Sequence, residues 1–375
     1  MDFRFREDEQ AVADLARKIL EDHATHERLK ELEASGAPFD TTLWRALAES
    51  QLLGAAIPEA HGGSGLGFLA LCLLLHEVGR SVAPVPAFPA LVLGALPLAR
   101  FGSEEQRREW LPGLARGECI LTAALHEFAS SDPLAPATRA DARGGRVLLT
   151  GVKTQVPCAA QAARVLVPAS FDDGAIGLFY VEPRADGVTL TDQQTPDGRP
   201  HAQLELAGAP VAGRLDSEGD GAAALRWLAL RATAARCMMQ LGVTERALER
   251  TAAYSRERIQ FDRPIGSFQA VHQRAADAYI HVEAIRLTAW EAAWRLSEEL
   301  PAEAHVAVAK FWAAEGGHFA SYACQHLHGG IGIDEDYPLH RHFTWAIQIE
   351  HELGSARHQL DRLGRSIAAH GLPAA

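Results

Sequence analysis

Apolar and polar positions fall into three successive textures along the chain. Over residues 7–32, apolar side chains return at helical spacing through Val12, Leu15, Ile19 and Leu20, and 66–78 is an almost wholly apolar helix. Between them, Pro58-Glu59-Ala60-His61-Gly62-Gly63-Ser64-Gly65 lacks the G-x-G-x-x-G spacing of a dinucleotide loop, and no acidic residue ends a following strand. It is expected to be a turn that lets a helix start after Gly65. From Cys119 to about Gly213, short β-rich runs at 147–149, 165–167, 176–181 and 204–206 alternate with clusters such as Arg143-Gly144-Gly145 and Asp172-Asp173-Gly174. No helical segments separate these strands, so the spacing predicts a compact antiparallel barrel or sandwich and disfavours a Rossmann fold. From about Ser217 to His370 four long helical segments follow, 222–258, 268–300, 302–326 and 339–368, interrupted at Pro264/Gly266, Pro301 and 329–332. Trp290, Trp294 and Trp312 on these helices suit core or subunit contact rather than a cofactor box. The expected fold class is α+β, with an all-α domain over 1–117, a middle β-domain over 118–215 and a C-terminal four-helix bundle over 216–375.

With 375 residues, 47% hydrophobic and 22% charged, the chain can bury several packed layers, which excludes extensive disorder. Lys+Arg 36 against Asp+Glu 48 gives a net charge of −12, which repels phosphate backbones and anionic lipid, so no nucleic-acid partner is expected. No apolar run approaches the roughly 20 residues of a membrane span; the nearest, 69–75, ends at His76 and Glu77. The start, MDFRFREDEQ, is too charged for a signal peptide. Five cysteines without a CxxC pair fit a reducing compartment, so a soluble cytoplasmic protein is expected.

Two C-terminal stretches carry candidate chemistry. In Tyr254-Ser255-Arg256-Glu257-Arg258-Ile259-Gln260-Phe261-Asp262-Arg263-Pro264-Ile265-Gly266-Ser267-Phe268, a basic helix end precedes an aromatic and a Pro/Gly turn. A planar guanidinium can fork onto an anion there while the ring packs beside a flat heterocycle; equally, the arginines complement the helix dipole at a solvated C-terminus. In Gln325-His326-Leu327-His328-Gly329-Gly330-Ile331-Gly332, the glycines permit close backbone approach by a ligand and also suit a tight interhelical turn. The pairs His326/His328 and His340/His342 face apart on a helix with no Cys or carboxylate at ligand spacing, so no metal is expected.

These motifs, with Pro58-Glu59 and Gly62-Gly63-x-Gly65, Phe101-Gly102-Ser103-Glu104-Glu105-Gln106 through Trp110-Leu111-Pro112, and Gly151-x-Lys153, make the chain resemble the acyl-CoA dehydrogenases over nearly its whole length. The resemblance implies an FAD enzyme that forms an α,β-double bond in an acyl-CoA thioester and passes electrons to an electron-transfer flavoprotein or similar acceptor. It also implies an oligomer, a homotetramer or dimer of dimers, with FAD between the middle and C-terminal domains and its adenine end reaching a neighbour. By the same resemblance Arg258 and Phe261 meet the FAD pyrophosphate and adenosine. Gly329 and Gly330, with His326 in place of the usual Gln, match the loop contributed across the dimer, and Ser355 joins the cofactor-binding set.

The family pattern then breaks where the chemistry is done. Its reaction needs a carboxylate to take the α-proton, a contribution of typically 10²–10⁴-fold. In most members this Glu precedes Gly-Thr, but in Glu350-His351-Glu352-Leu353-Gly354-Ser355 that place is held by Leu353. A second seat used by some members falls in Arg231-Ala232-Thr233-Ala234-Ala235-Arg236-Cys237-Met238-Met239-Gln240, which has no carboxylate. Glu352, the displaced candidate base, is one residue off the first seat, a rotation of roughly 100° on a helix. Thr122-Ala123-Ala124-Leu125-His126-Glu127-Phe128-Ala129-Ser130-Ser131-Asp132 departs from the usual Thr-Glu-Pro and Gly-Ser-Asp, and Gln155-Val156-Pro157 replaces the triplet that shields the isoalloxazine ring. Asp262 replaces the Gly after Phe261. The pattern resembles the less complete partner of heteromeric bacterial acyl-CoA dehydrogenases of sterol side-chain and other bulky acyl-CoA catabolism. An α2β2 heterotetramer is therefore expected, in which a base-bearing paralogue completes the site. A self-sufficient homotetramer using Glu352 or another carboxylate, and a catalytically silent structural or regulatory subunit, are the alternatives.

Overall fold

The computed structural model describes residues 5–128, 132–215 and 220–371; Ala129, Ser130 and Ser131 of the 122–132 stretch and the start of the expected third domain at 216 lie outside the described residues. The N-terminal region is helical: α1 (Glu7–His23), α2 (His26–Ser35), α3 (Thr41–Glu49), α4 (Phe68–Arg80), a π-helical stretch (Phe88–Ala95), α5 (Leu96–Phe101) and α6 (Glu104–Ala115). The single apolar period over 7–32 is two helices, because the Thr25 hydroxyl accepts the Arg28 N–H at 3.2 Å and starts a new one. Asp40 caps α3 by accepting from the Thr42 and Leu43 N–H groups, and Ser103 with Gln106 forms a capping box on α6. The 58–65 segment is a turn before α4, with Gly62 and Gly65 at φ +85° and +65°.

The middle region forms an eight-stranded sheet from β1 (Leu121–Ala123), β2 (Arg139–Arg143), β3 (Arg146–Pro157), β4 (Arg164–Ser170), β5 (Ile176–Val181), β6 (Val188–Gln193), β7 (His201–Pro210) and β8 (Gly213–Arg214). Its order is β6-β7-β3-β2-β4-β5-β8, with β1 beside β4. Most pairings are antiparallel, while β1 and β2 each meet β4 in parallel. Gly144 and Gly145 close the β2–β3 hairpin with φ of +57° and +77°, the left-handed pair that a two-residue turn requires. The β3–β7 register shifts between Lys153 and Val156, and Gln155 at that irregularity takes φ +50°.

The C-terminal region runs α7 (Gly221–Glu257), a short hairpin of β9 (Ile259–Gln260) and β10 (Arg263–Pro264), α8 (Gln269–Ser297), α9 (Glu303–His328), α10 (Leu339–His351) and α11 (Ala356–His370). The fourth expected helix, 339–368, is therefore two. The Lys310 ammonium, buried, donates to the Ile349 and Glu350 carbonyls at 2.6 and 3.1 Å and so satisfies the end of α10. Beyond it Leu353 and Gly354 take φ of +56° and +96°, with the Leu353 carbonyl held by Gln359 Nε2 at 2.9 Å.

The chain packs as two compact units. One comprises residues up to Ile19, Glu31–Leu71 and Pro84–Ala232; the other comprises Leu20–Lys30, Cys72–Ala83 and the chain from Thr233 onward. In the second unit α4 and α7 touch backbone to backbone: a Cβ on Gly79 would lie 2.2 Å from the Met239 carbonyl oxygen, and one on Gly242 2.1 Å from that of His76. Beside this crossing, buried His76 sits between Glu77 (3.2 Å) and Glu245 (2.7 Å), and Arg80 and Arg286 also pair with Glu245. Among the described residues no helix is long and apolar enough to cross a membrane.

Candidate functional site

One end of the C-terminal unit gathers the residues expected to hold a nucleotide. Phe261 and Asp262 form the turn of the β9–β10 hairpin with φ of +53° and +60°, so Asp262 stands in a left-handed position that short polar side chains tolerate. The hairpin holds Phe261 86% exposed, its ring meeting the Phe268 edge at a centroid distance of 6.0 Å. Arg258, just before it, is exposed. Buried His328, the last residue of α9, stacks on Tyr254 of α7 at 4.4 Å and 18°, and its Nε2 lies 3.1 Å from the Tyr337 hydroxyl. Because Tyr254 is one helical turn before Arg258 and His328 adjoins Gly329, this stack brings the hairpin and the glycine loop to the same end. His326 is exposed on the last turn of α9. Gly329, at φ +67°, closes that helix, and a Cβ at either Gly329 or Gly330 would meet nothing within 4 Å. Packing within the chain thus places no demand for a bare backbone at 330.

Glu352 and Ser355 lie elsewhere, at the α10–α11 break. Ser355 makes a local contact, with Oγ 2.9 Å from His358 Nδ1. Glu352 turns into the bundle: it is 4% exposed, ion-paired with Arg236, which is 1% exposed, and accepts from Gln348 Nε2 at 3.0 Å. The helical rotation expected of Glu352 does not apply, because the backbone has left the helix there, at ψ 141°. Its oxygens are committed to a guanidinium and an amide, the arrangement of a buried structural charge rather than of a base facing a substrate. Leu353 is buried in its left-handed conformation. Nearby, burial pushes the Lys310 ammonium down to about 8 and the Cys237 thiol up to about 12. Arg236 is the residue of this region that motif comparison passes over. Its signal is a lone guanidinium inside an Ala/Met-rich helical run, which must find a buried partner.

The middle-region stretches that depart from the family pattern have their own internal uses. Buried Lys153 donates to Glu127 and, at 2.8 Å, to the Pro168 carbonyl. Burial pushes Lys153 down to about 8 against the opposing pull of Glu127. Burial also raises the Glu127 pKa, but Lys153 and the hydrogen bonds from Thr138 and Ala137 outweigh it and hold the carboxyl below its ordinary value. The Gln155 N–H donates to Gln193 Oε1 at 2.7 Å, pinning the irregularity in β3. The cavity beside Pro157 and Cys158 measures about 20 Å³, space for about one water. An exposed guanidinium, an exposed ring and two bare glycines fit the phosphate and adenosine end of FAD. The pinned Gln155-Val156-Pro157 stretch does not fit the role of ring-shielding triplet. Among the described residues no group of three or more His, Cys, Asp or Glu side chains is placed to hold a metal.

A helical N-terminal domain, a middle β-sheet domain and a C-terminal helical domain, with these elements at the end of the first bundle helix, define the acyl-CoA dehydrogenase fold. The chain belongs to the acyl-CoA dehydrogenase family: residues 6–118 match its N-terminal domain and residues 219–368 its C-terminal domain. It is 42% identical to the acyl-CoA dehydrogenase FadE27 of Mycobacterium tuberculosis, over 98% of this chain and 99% of that protein. Two solved structures are similar throughout. A variant of the Tcur3481-Tcur3483 steroid ACAD has 45% identity and TM-score 0.91 over 97% of this chain and 98% of that one. The ChsE4-ChsE5 complex from Mycobacterium tuberculosis has 42% identity and TM-score 0.93 over the whole of both chains. The family's enzymes are FAD-dependent oxidoreductases that act on CH–CH bonds.

Proposed function

We propose that this chain is the subunit without a catalytic base in a heteromeric FAD-dependent acyl-CoA dehydrogenase, assembled as α2β2 with a paralogue that carries the Glu, and that its substrate is a bulky, steroid-type acyl-CoA. The observation that carries this reading is the buried Arg236–Glu352 pair: the one carboxylate next to the family's base position is held inside the bundle, and Leu353 fills the position itself. The likeness to the Tcur3481-Tcur3483 steroid ACAD and to the ChsE4-ChsE5 complex supports both the partner and the substrate class. The domain division is 1–117, 118–215 and 216–375.

FAD, when bound, supplies the acceptor for the β-hydride, and an electron-transfer flavoprotein or similar carrier takes the electrons onward. This chain contributes the grip on the cofactor's far end. Arg258 would hold the pyrophosphate and Phe261 the adenosine, with Gly329, Gly330 and His326 at the same end to let the backbone approach, while Ser355 would act from the separate α10–α11 break. The α-proton goes to the partner's carboxylate. The experiment is purification of the chain alone and with its paralogue co-expressed, reading flavin absorbance and acyl-CoA turnover. Flavin and turnover in the assembled pair, with neither in the isolated chain, is the expected result; an isolated chain that holds FAD and turns over acyl-CoA overturns it.

A second reading, a silent subunit that holds no flavin, is favoured by the pinned Gln155 stretch. It requires the flavin content of the assembled pair to be indifferent to Arg258→Ala.

A further inference from the structure

A cavity of about 370 Å³ lies in the C-terminal unit, lined by none of the residues assigned to the cofactor or to the base position. Leu20, Ala24 and Leu29 form an apolar wall, and Arg80, Arg246 and Arg250 supply charge. Its size is that of a small-molecule site, about 300–1,000 Å³. Arg246 and Arg250 stand one turn apart on α7 and share a face. Arg80 is engaged by both Glu249 oxygens at 2.9 Å and by Glu245 at 3.1 Å, and Arg246 reaches Glu249 at 3.0 Å.

Arg250 differs from both. Among the described residues no carboxylate pairs with it, and its Nε is shut off from solvent with no hydrogen-bond partner. Burial and the adjacent Arg246 charge push its pKa below the ordinary value, so the fold holds this cation at a cost. Tyr337 and Glu249, the latter held by Arg80 and Arg246, pull the other way and are outweighed, and the other titratable groups that line the cavity do not pair with Arg250. Glu77 is taken up by His76 and Arg80, and Glu21 is solvent-exposed. His26 meets the Asp336 carbonyl and Arg341, and His342, pushed down to about 3 by burial, stays neutral between the Pro338 and Arg80 carbonyls. A half-buried guanidinium on the wall of a cavity of ligand size, with no carboxylate to answer it among the described residues, is a seat for an anion.

We propose that this cavity binds a small phosphate ester, its phosphate held by Arg250 and Arg246 and its organic part lying against Leu20, Ala24 and Leu29. Two guanidinium forks on one helix face match a dianion with three acceptor oxygens better than a singly charged carboxylate. The site is independent of the proposed function, since neither flavin nor acyl-CoA touches its test.

Phenyl phosphate, inorganic phosphate and phenol are titrated calorimetrically into the full-length protein. Phenyl phosphate is expected to bind more tightly than inorganic phosphate, and phenol not to bind. Arg250→Gln is expected to weaken phenyl phosphate at least tenfold and Arg250→Lys by less. Leu20→Trp, which fills the apolar wall with all three arginines intact, is expected to weaken phenyl phosphate while sparing inorganic phosphate. Melts of the unliganded variants verify folding. No heat from either phosphate at millimolar concentration, phenol binding as well as phenyl phosphate, or unchanged affinity in folded Arg250→Gln overturns the proposal.

Discussion

Cutting the Arg236–Glu352 pair distinguishes a catalytic Glu352 from a structural one. The two side chains are 1% and 4% exposed, so Glu352→Leu leaves a guanidinium that water cannot reach. Loss of one member of a buried pair costs about 3–5 kcal/mol. For a unit of roughly 150–250 residues, 1 kcal/mol moves Tm by about 2–4 °C, which puts the expected fall on the order of 10 °C. Arg236→Met should fall by a similar amount. The double variant, Arg236→Met with Glu352→Leu, should recover most of it, because a packed apolar pair in place of a buried ion pair is often neutral or stabilising by about 1–4 kcal/mol. Thermal melts of the four proteins close a double-mutant cycle whose coupling term isolates the pair. Activity is read separately, on Glu352→Gln in the assembled enzyme well below its melt. A structural Glu352 leaves turnover intact there, whereas loss of a general base costs typically 10²–10⁴-fold. An unmoved melt together with collapsed turnover would refute the assignment of Glu352 to packing.

Arg258→Ala should weaken flavin retention by the assembled enzyme by about 1.5–3 kcal/mol, read from the flavin-to-protein absorbance ratio after dialysis; an unchanged ratio would leave Arg258 as a helix-end charge. Gly242→Ala places a methyl group 2.1 Å from the His76 carbonyl oxygen, and overpacking of this kind should destabilise by about 1–3 kcal/mol or more in a thermal melt. Burial lowers the His76 pKa, but hydrogen bonds and charge from Glu245 and Glu77 outweigh it and leave the pKa raised. Its contribution to stability should therefore be fully present below the unfolded value of about 6.5 and be lost as pH rises through the higher folded value. His76→Gln should flatten that part of the stability profile, and a profile of unaltered shape would remove His76 from the account. Lys153→Met should cost about 3–5 kcal/mol by stranding Glu127, recovered in large part by adding Glu127→Leu.

Boundaries in the chain were legible wherever punctuation is local. Pro264 and Gly266, Pro301 and the 329–332 glycines end or precede helices within a few residues of where the helices stop, since each acts on its own backbone. The breaks at Thr25 and at 352–355 were hidden. The first turns on one hydroxyl inside an unbroken apolar period, and the second on Lys310 reaching in from α9 and on Gln359 folding back from the helix that follows. The parallel pairing of β1 with β4 was hidden for the same reason: 121–123 and 164–166 meet by topology, which no short window records. Motifs single out Arg258, Phe261, Gly329 and Gly330 in the sequence, but that Arg258 and Gly329 share an end depends on the Tyr254–His328 stack between two helices. That Leu353 and the 231–240 stretch carry no carboxylate is plain from the sequence, whereas the Arg236–Glu352 pair joins residues 116 positions apart in the chain.

The crossing of α4 and α7 at Gly79 and Gly242 sets the separation of these helices by main-chain atoms alone. Arg80 directly follows Gly79, and Arg246 and Arg250 lie one and two turns beyond Gly242, so the charged wall of the 370 Å³ cavity is mounted on that crossing. Helices spaced by side chains drift together or apart when those side chains change size, and a cavity between them collapses or swells unpredictably. Here the frame is indifferent to its lining. Trimming Leu20 or Leu29 should enlarge the cavity by nearly the volume removed, so the chamber can be resized one side chain at a time while its arginines stay in place, which makes it a tractable starting point for redesign of ligand size.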